Sequence, residues 1–183
     1  MAAATTRQTD AASIYQVHVH QVSRWAERLA GPTLDVEDIV HEVFIIAYER
    51  MSTFRGDSTL STWLFGITKK VVQHRRRKER WRRWLRGSAN ETAGHLASDN
   101  PDPLRAVEQS RAAADVYQVL DHLSERDRQI LILCELEDLD ADEAGHLLGI
   151  RQANVRLRLH RARARFAHAY QEFMNKRSQR RLP

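Results

Sequence analysis

Apolar side chains recur at helical spacing in two blocks of this 183-residue chain, and a stretch without that spacing separates the blocks. The clearest run starts near Asp35 and follows the i, i+3, i+4, i+7 rule of a helix that buries one face. Its members are Val36, Ile39, Val40, Val43, Phe44, Ala47, Tyr48 and Met51. From residue 87 to residue 103, Gly, Ser, Asn, Asp and Pro replace the periodic pattern, which is typical of a linker. The sequence therefore predicts an all-α protein with two small helical domains joined by a flexible linker.

The predicted domain bounds follow from the same pattern. The Ala- and Thr-rich residues 1–10 are predicted to form a disordered tail. The first helical domain spans residues 11–86. The second spans residues 104–175 and contains four helices, and a basic tail covers residues 176–183. The linker between the domains is residues 87–103.

Two details of the first domain can be predicted residue by residue. Its first helix runs from about residue 12 to residue 30, where a Gly-Pro pair ends it. The apolar positions of that helix are Ile14, Val17, Val22, Trp25 and Leu29. Ser58 is predicted to cap the third helix, and Trp63 is predicted to lie at the edge of its buried stripe.

The outer face of the second helix carries one apolar side chain among charged ones. At about 100° per residue, Ile45 points away from the buried stripe. Its neighbours on that outer face are Asp38, His41, Glu42 and Glu49. An exposed apolar side chain in an acidic setting favours a protein partner over DNA. A single exposed Ile is also common on protein surfaces, so the alternative of no partner stays open.

A helix-turn-helix is predicted in the second domain. The short helix spans about residues 140–148, Gly149 and Ile150 form the turn, and a long helix begins near Gln152. In DNA-binding members of this motif the second helix enters the major groove. Its outward side chains are Ala153, Arg156, Leu157, His160, Arg161 and Ala164.

The residue types on that outward face suit duplex DNA. Arg156 matches guanine O6 and N7, Leu157 matches a thymine methyl group, and His160 is a donor to a base or a phosphate. The remaining arginines would hold phosphates and set the orientation of the helix, namely Arg158, Arg161, Arg163 and Arg165. An ordinary helical hairpin with a solvated basic face is the alternative. The change from mostly acidic residues between Asp121 and Glu143 to mostly basic ones from Arg151 onward favours DNA.

Gly145 lies inside the short helix, where it costs about 1 kcal/mol relative to Ala. We expect it to be tolerated because a glycine allows the two helices of the motif to pack closely.

Net charge and its distribution point to a polyanion. The chain carries a formal charge of +5, and its densest basic run covers residues 75–86. Trp81 and Trp84 are interleaved with those arginines. The two rings are candidates for stacking on nucleic acid, or alternatively for cation–π packing against neighbouring arginines.

The sequence carries no signature of an enzyme. The nine histidines form no HExxH or similar pattern, and no glycine-rich phosphate loop occurs, so no metal and no cofactor are expected. Cys134 is the single cysteine and fits an apolar helix face, which predicts a buried structural thiol. No secretory signal and no apolar stretch of about 20 residues is found, so we expect a cytoplasmic protein that does not insert into membranes.

Both blocks of the chain resemble the extracytoplasmic-function group of bacterial RNA polymerase sigma factors. The first block consists of DVEDIVHEVFIIAYE at residues 35–49 and FRGDSTLSTWLFGI at residues 54–67. The second block consists of LSERDRQIL at residues 123–131, AGHLLGI at residues 144–150 and VRLRLHRAR at residues 155–163. The blocks stand in the family's order, with a linker of suitable length between them.

This resemblance implies roles for three sets of residues. The acidic second helix is expected to dock on the coiled coil of a large polymerase subunit, through Asp38, His41, Glu42, Ile45 and Glu49. The first domain is expected to read the −10 element as melted single strand, through Phe54, Arg55, Asp57, Ser58, Thr62, Lys69, Lys70, Gln73, His74, Arg76 and Arg77. The second domain is expected to read the −35 element as duplex, through Gln152, Ala153, Asn154, Arg156, Leu157, Arg158, His160 and Arg161.

The resemblance also implies partners. They are core RNA polymerase (the large-subunit coiled coil and the flap), promoter DNA and an anti-sigma factor that holds the protein inactive. A helix-turn-helix regulator that acts without polymerase is the alternative function. It explains the C-terminal half of the chain equally well, but leaves the acidic face around Ile45 without a purpose.

Overall fold

The computed structural model describes the backbone of residues 2–85 and 103–179, and the side chains of residues 13–85 and 111–179. Every regular element in the described ranges is helical, which confirms the predicted all-α class. The predicted linker lies outside the described residues except for Pro103, which begins a helix. Proline is favoured there because the first helical residue needs no backbone N–H.

The chain divides into two compact units, and the first is Met1–Glu91. It contains three α-helices and a 3₁₀ turn, namely α1 (Ala2–Ala30), α2 (Val36–Arg50), the turn at Met51–Thr53 and α3 (Leu60–Leu85). Asp35 caps α2, since its carboxylate accepts a hydrogen bond from the Asp38 backbone N–H at 3.1 Å.

The three helices of unit 1 bury one face each against the other two. In the core, the rings of Trp25 and Phe65 meet edge to face with centroids 5.2 Å apart. The buried apolar residues around this pair are Val22, Ala26, Leu29, Ile39, Val40, Val43, Ala47, Leu64, Ile67, Val71 and Val72. The helical periodicity of α2 is confirmed in its first three turns. Tyr48, which the pattern placed on the buried stripe of α2, is exposed, and so is Val17, an apolar position of α1.

The exposure of these two residues follows from their positions on the helices. Val17 lies about 140° around α1 from Val22, so the two side chains cannot both face the core. Tyr48 stands in the last turn of α2, where half of its side chain is exposed.

Two boundary predictions for unit 1 were wrong. Helix α1 begins at Ala2, so residues 2–10 of the predicted disordered tail are helical. No Gly or Pro interrupts this segment, and its Ala, Arg and Gln residues favour a helix. Helix α3 is capped by Thr59 rather than Ser58, because the Thr59 hydroxyl accepts the Thr62 N–H at 3.2 Å.

Unit 2, Thr92–Pro183, contains four α-helices, which confirms the predicted number. They are α4 (Pro103–Asp121), α5 (Glu125–Leu131) with a π-helical extension (Ile132–Leu136), α6 (Ala141–Leu148) and α7 (Gln152–Gln179). Helix α7 thus includes residues 176–179 of the predicted basic tail. Its end is held to α4, since Arg177 forms an ion pair with Asp115.

A buried arginine lies at the centre of unit 2. Arg128 is 1% exposed, and its Nη1 donates to Asp121 Oδ1 at 2.8 Å. Its guanidinium lies over the Tyr117 ring, 5.4 Å from the centroid. The charge is therefore paired and the flat guanidinium is packed, which are the two conditions for burying an arginine. No sequence pattern distinguished Arg128 from the exposed arginines.

The helix-turn-helix is built by two glycines and a capping box. Asp140 accepts hydrogen bonds from the N–H groups of Asp142 and Glu143 at 2.8 and 2.9 Å, and the Glu143 carboxylate accepts the Asp140 N–H at 2.9 Å. Gly149 ends α6 in the left-handed region, with φ at 67°. At Gly145, an added Cβ would lie 2.7 Å from the Ile150 carbonyl oxygen. The prediction that Gly145 permits close packing is confirmed.

We predict that Gly145→Ala lowers the free energy of unfolding of unit 2 by about 1–2 kcal/mol, because overpacking outweighs the gain in helix propensity. Urea denaturation followed by circular dichroism would measure the change.

Gly66→Ala is the matched control for this variant. Gly66 also lies inside a helix, but nothing stands within 4 Å of its added Cβ. We expect it to stabilise unit 1 by roughly 0.5–1 kcal/mol. Equal effects of the two substitutions would contradict the close approach at Gly145.

Candidate nucleic-acid and protein interfaces

The outer face of α2 carries the five residues predicted to meet a protein partner. Asp38, His41, Ile45 and Glu49 are exposed, and Glu42 is partly exposed. Ile45 has 46% of its surface in contact with solvent, which confirms that it points away from the core.

Arg75 of α3 ties two of these acids together. Its Nη2 lies 2.6 Å from Glu42 Oε2, and its Nη1 lies 3.2 Å from Asp38 Oδ2. Its Nε also donates to Glu42 at 2.8 Å. Arg75, the first arginine of the basic run at residues 75–86, is therefore held against the acidic face of α2. Two of the acids predicted for docking are already partly neutralised by it.

More apolar surface surrounds Ile45 than the sequence predicted. Tyr48 is exposed one turn further along α2. Phe44, which directly precedes Ile45, contacts Tyr15 of α1 with the two rings tilted by 59° and their centroids 4.7 Å apart. Aromatic and aliphatic side chains with an acidic border are typical of a surface that binds another protein.

An open groove of about 470 Å³ lies beside this surface, between the start of α2 and the second half of α3. Its lining is charged: Asp35, Asp38 and Glu42 lie on the α2 side, and α3 contributes His74, Arg75, Lys78, Glu79 and Arg82. Since ligand pockets are mostly apolar, this charged groove differs from a small-molecule site.

The loop before α3 presents the first group of residues predicted to contact nucleic acid. Phe54 is partly buried because its ring packs on Trp63, with centroids 5.3 Å apart. Arg55, Asp57 and Ser58 are exposed around the turn at Gly56, whose φ is 77°. Thr62, also in this group, is partly buried because its hydroxyl lies 3.0 Å from that of Thr59.

Helix α3 carries the second group. Lys70, His74 and Arg77 are exposed, and Lys69 and Gln73 are partly exposed. Burial, together with the charge of Lys70, lowers the pKa of Lys69. Lys69, Lys70 and Arg77 make the outward face of α3 basic in this segment.

Arg76 was predicted to be on that outward face, and this prediction was wrong. Its side chain is only 6% exposed. Arg76 stands four residues after Val72 and eight after Thr68, so it continues the buried stripe of α3. Thr68 is itself fully buried, and its hydroxyl donates to the Leu64 carbonyl at 2.9 Å.

The first three turns of α7 present the residues predicted to read duplex DNA. Val155 and Ala162 are fully buried against the rest of unit 2, which turns the opposite side of α7 to solvent. The exposed side chains there are Gln152, Ala153, Asn154, Arg156, Leu157, Arg158, His160, Arg161 and Ala164. Within the described part of the chain, Arg156, Arg158 and Arg161 form no ion pair.

Two further arginines of α7 were predicted to hold phosphates, but they are engaged within the unit. Arg163 Nη2 lies 2.6 Å from Glu135 Oε1, and Arg165 Nη1 lies 2.8 Å from Asp127 Oδ2. These pairs join α7 to α5 and its π-helical extension. Within the described residues, the arginines of α7 that form no ion pair therefore lie in its first half.

Cys134 is partly buried rather than fully buried. Burial and the neighbouring Glu135 carboxylate raise the pKa of its thiol. Among the residues that the structure describes, no group of three or more His, Cys, Asp or Glu side chains is placed to hold a metal ion. No helix in the described ranges has the length and apolar character of a membrane span.

Each unit matches a known protein-family model. Residues 14–82 match sigma-70 region 2, and residues 113–166 match sigma-70 region 4. The two matches correspond to α1–α3 and to the segment from α4 to the middle of α7.

Several curated proteins are similar over most of the chain. RNA polymerase sigma factor NccH of Alcaligenes xylosoxydans xylosoxydans is 32% identical over 83% of this chain and 82% of its own length. The ECF RNA polymerase sigma-E factor of Escherichia coli K12 is 34% identical over 79% of this chain and 78% of its own. ECF sigma factor SigE of Mycolicibacterium smegmatis is 32% identical over 80% of this chain, and 56% of that longer protein is covered.

Two solved structures share the fold. One is the sigma factor RpoE bound to the anti-sigma factor NepR from Bartonella quintana, with a TM-score of 0.58 and 21% identity over 88% of this chain and 97% of that one. The other is CnrH in complex with the cytosolic domain of CnrY, with a TM-score of 0.56 and 24% identity over 88% of this chain and 87% of that one.

We predict that alkylation of Cys134 by iodoacetamide rises at a higher pH in the folded chain than in the same chain in urea. The thiolate is the reactive form, and burial disfavours it in the folded state. Rates measured between pH 7 and 10 would test this. Identical pH profiles for the folded and unfolded chain would contradict the raised pKa.

Proposed function

Because this chain belongs to the extracytoplasmic-function group of bacterial RNA polymerase sigma factors, we propose that it binds core RNA polymerase and directs initiation at promoters with −10 and −35 elements. The observation that carries the proposal is the pairing of two modules in one chain. A sigma-70 region 2 match covers one helical unit, and a sigma-70 region 4 match with a helix-turn-helix covers the other.

Docking on polymerase is assigned to the outer face of α2. The exposed Ile45, with Tyr48 beside it, provides apolar area at the centre of that face. Asp38, His41, Glu42 and Glu49 provide its polar border. Because Arg75 bridges Asp38 and Glu42, both carboxylates are held in one orientation before a partner arrives. A cation of the polymerase coiled coil would then share these acids with Arg75.

Recognition of the −10 element is assigned to the loop before α3 and the exposed face of α3. Single-strand capture combines cations with aromatic surfaces, and this region contains both. Phe54 and Trp63 form an aromatic platform at one end. The other residues assigned to this surface are Arg55, Asp57, Ser58, Thr62, Lys69, Lys70, Gln73, His74 and Arg77.

Recognition of the −35 element is assigned to the first three turns of α7. Arg156, Leu157 and His160 would face base edges in the major groove, and Ala153 allows a close approach. Arg158 and Arg161, with Gln152 and Asn154 at the helix start, would contact phosphates. The free backbone N–H groups at the start of α7 also favour a phosphate there.

A second protein that inhibits this chain, and the compartment in which the chain acts, are also proposed. The two solved structures that share the fold each contain a second protein, the anti-sigma factor NepR in one and the cytosolic domain of CnrY in the other. We propose that a protein of that kind also covers this chain in resting cells, since the α2 face is apolar and accessible. The protein would act in the cytoplasm, where polymerase and promoters are found, and would perform no catalysis of its own.

Run-off transcription tests the function. Core polymerase with the purified chain should produce a transcript from a promoter that the holoenzyme selects, whereas core alone should not. Ile45→Glu places a charge at the centre of the α2 face, and we expect it to reduce core binding at least tenfold, or about 1.4 kcal/mol. Val17→Glu, on an exposed part of α1, is the matched control. Failure of the wild-type chain to associate with active core enzyme would leave only the DNA-binding regulator.

We expect Arg156→Ala or His160→Ala to weaken −35 discrimination by about 1–3 kcal/mol per lost base contact. Arg161→Ala should instead lower binding on all sequences and reduce the dependence of affinity on salt. Fluorescence anisotropy with specific and random duplexes would separate these outcomes. Arg163→Ala serves as a comparison because its guanidinium is held by Glu135. Equal losses on both duplexes for Arg156→Ala and His160→Ala would remove their assignment as base readers.

A further inference from the structure

A continuous exposed stripe runs along the second half of α3. Lys70, His74, Arg77, Trp81 and Trp84 follow one another at spacings of four, three, four and three residues, and all five are exposed. This spacing keeps them on one face of the helix. At 1.5 Å per residue, the stripe is about 21 Å long. We call these five residues the α3 stripe.

The two tryptophans at the end of the α3 stripe face solvent. Trp81 and Trp84 are 60% and 71% exposed, and their ring centroids are 5.2 Å apart with a tilt of 34°. Among the described residues, no cation lies over either ring, so the alternative of cation–π packing on nearby arginines is not realised there. Two adjacent exposed indoles do not stabilise the core of unit 1. They form a surface on which a flat ring can stack.

The charge around the tryptophans is strongly positive. Between residues 77 and 85 the chain has five basic residues and one acid, Glu79. Glu79 lies 3.6 Å from Arg82 and 4.0 Å from Arg83, on the flank of the helix. The basic side chains on the α3 stripe itself, Lys70, His74 and Arg77, form no ion pair within the described ranges. A partner for this surface therefore has to be a polyanion.

The order of the side chains distinguishes between two classes of polyanion. An acidic partner helix would need apolar side chains along its whole line of contact with α3. Three of the five residues of the α3 stripe instead carry basic side chains. A nucleic acid strand matches both ends of the α3 stripe. Its phosphates can pair with the basic side chains at one end, and its bases can stack on the indoles at the other end. In a duplex the base faces are covered by neighbouring pairs, so only an unpaired segment exposes them for stacking.

We propose that the α3 stripe binds an unpaired nucleic acid strand, with bases stacked on Trp81 and Trp84 and phosphates held by Lys70, His74 and Arg77. The stripe would span on the order of six nucleotides at 3.4 Å each. This extends the strand-binding surface of α3 about two turns beyond the −10 residues assigned above. The binding stands on the geometry of α3 alone, and only the identity of the strand as promoter DNA rests on the proposed function.

Fluorescence anisotropy of the full-length chain with a labelled 12-nucleotide oligo(dT) tests the inference, and a 12-base-pair duplex serves for comparison. The double variant W81A/W84A should weaken single-strand binding at least about fivefold, since one lost stacking contact has that effect. The slope of log K against log salt should stay unchanged, because stacking releases no counterions. Binding to the duplex should change less than about twofold, because no base face is open there.

Two further variants control for indirect effects. W81F/W84F keeps flat rings and should restore most of the single-strand affinity. Tyr170→Ala removes an exposed aromatic ring in unit 2 and should have no effect. Circular dichroism should show the same helix content for all variants, since both tryptophans lie on the surface.

Three results would overturn the inference: unchanged oligo(dT) binding by W81A/W84A, equal losses on single strand and duplex, or failure of W81F/W84F to restore binding. Loss of core polymerase association with unchanged oligo(dT) affinity would also overturn it and identify the tryptophans as a protein contact. A chain that fails to bind polymerase but shows the single-strand effect would refute the proposed function while supporting the α3 stripe.

Discussion

Ion pairs between helices neutralise some of the chain's charged side chains, and only the unpaired ones are available to bind a partner. Arg128 is buried against Asp121 at 2.8 Å, and breaking such a pair costs about 3–5 kcal/mol because one charge is left buried. Exposed pairs contribute roughly 0–1 kcal/mol, so those of Arg75 and Arg163 mainly orient helices. Arg165 pairs with Asp127, whose side chain is only 10% exposed. The stability of unit 2 therefore depends mainly on the two charges that folding buries, those of Arg128 and Asp127. The arginines outside these pairs form the cationic surfaces of α3 and α7.

The turn of the helix-turn-helix depends on backbone contacts that side chains would obstruct. The Ile150 N–H donates to the Gly145 carbonyl at 3.0 Å, and the Ile150 oxygen lies where a Cβ of residue 145 would stand. The left-handed conformation of Gly149 brings the chain back towards α6. Asp140 stabilises the start of the same helix. Since α6 is only eight residues long, these few contacts determine how α7 is presented.

The two units present long helices built on one plan. Each buries one face in its unit and exposes cations on the other. They differ in what accompanies the cations. On α3, Trp81 and Trp84 provide flat surfaces suited to unpaired bases. On α7, Ala153 and Ala164 leave room for the edge of a duplex groove. The acidic, apolar face of α2 points instead to a protein. We therefore propose that one chain combines separate surfaces for a protein, an unpaired strand and a duplex.

Short-range patterns alone predicted the helices, the two units and the exposure of Ile45 and of the first turns of α7. These features depend on residues within about four positions of one another, where spacing and turn chemistry act. Only the tertiary structure decided that Arg128 lies in a core. It also decided that Arg75 joins acids 33 and 37 residues away. The physical reason is that a charge pairs with whatever folding brings near it, at any separation along the chain.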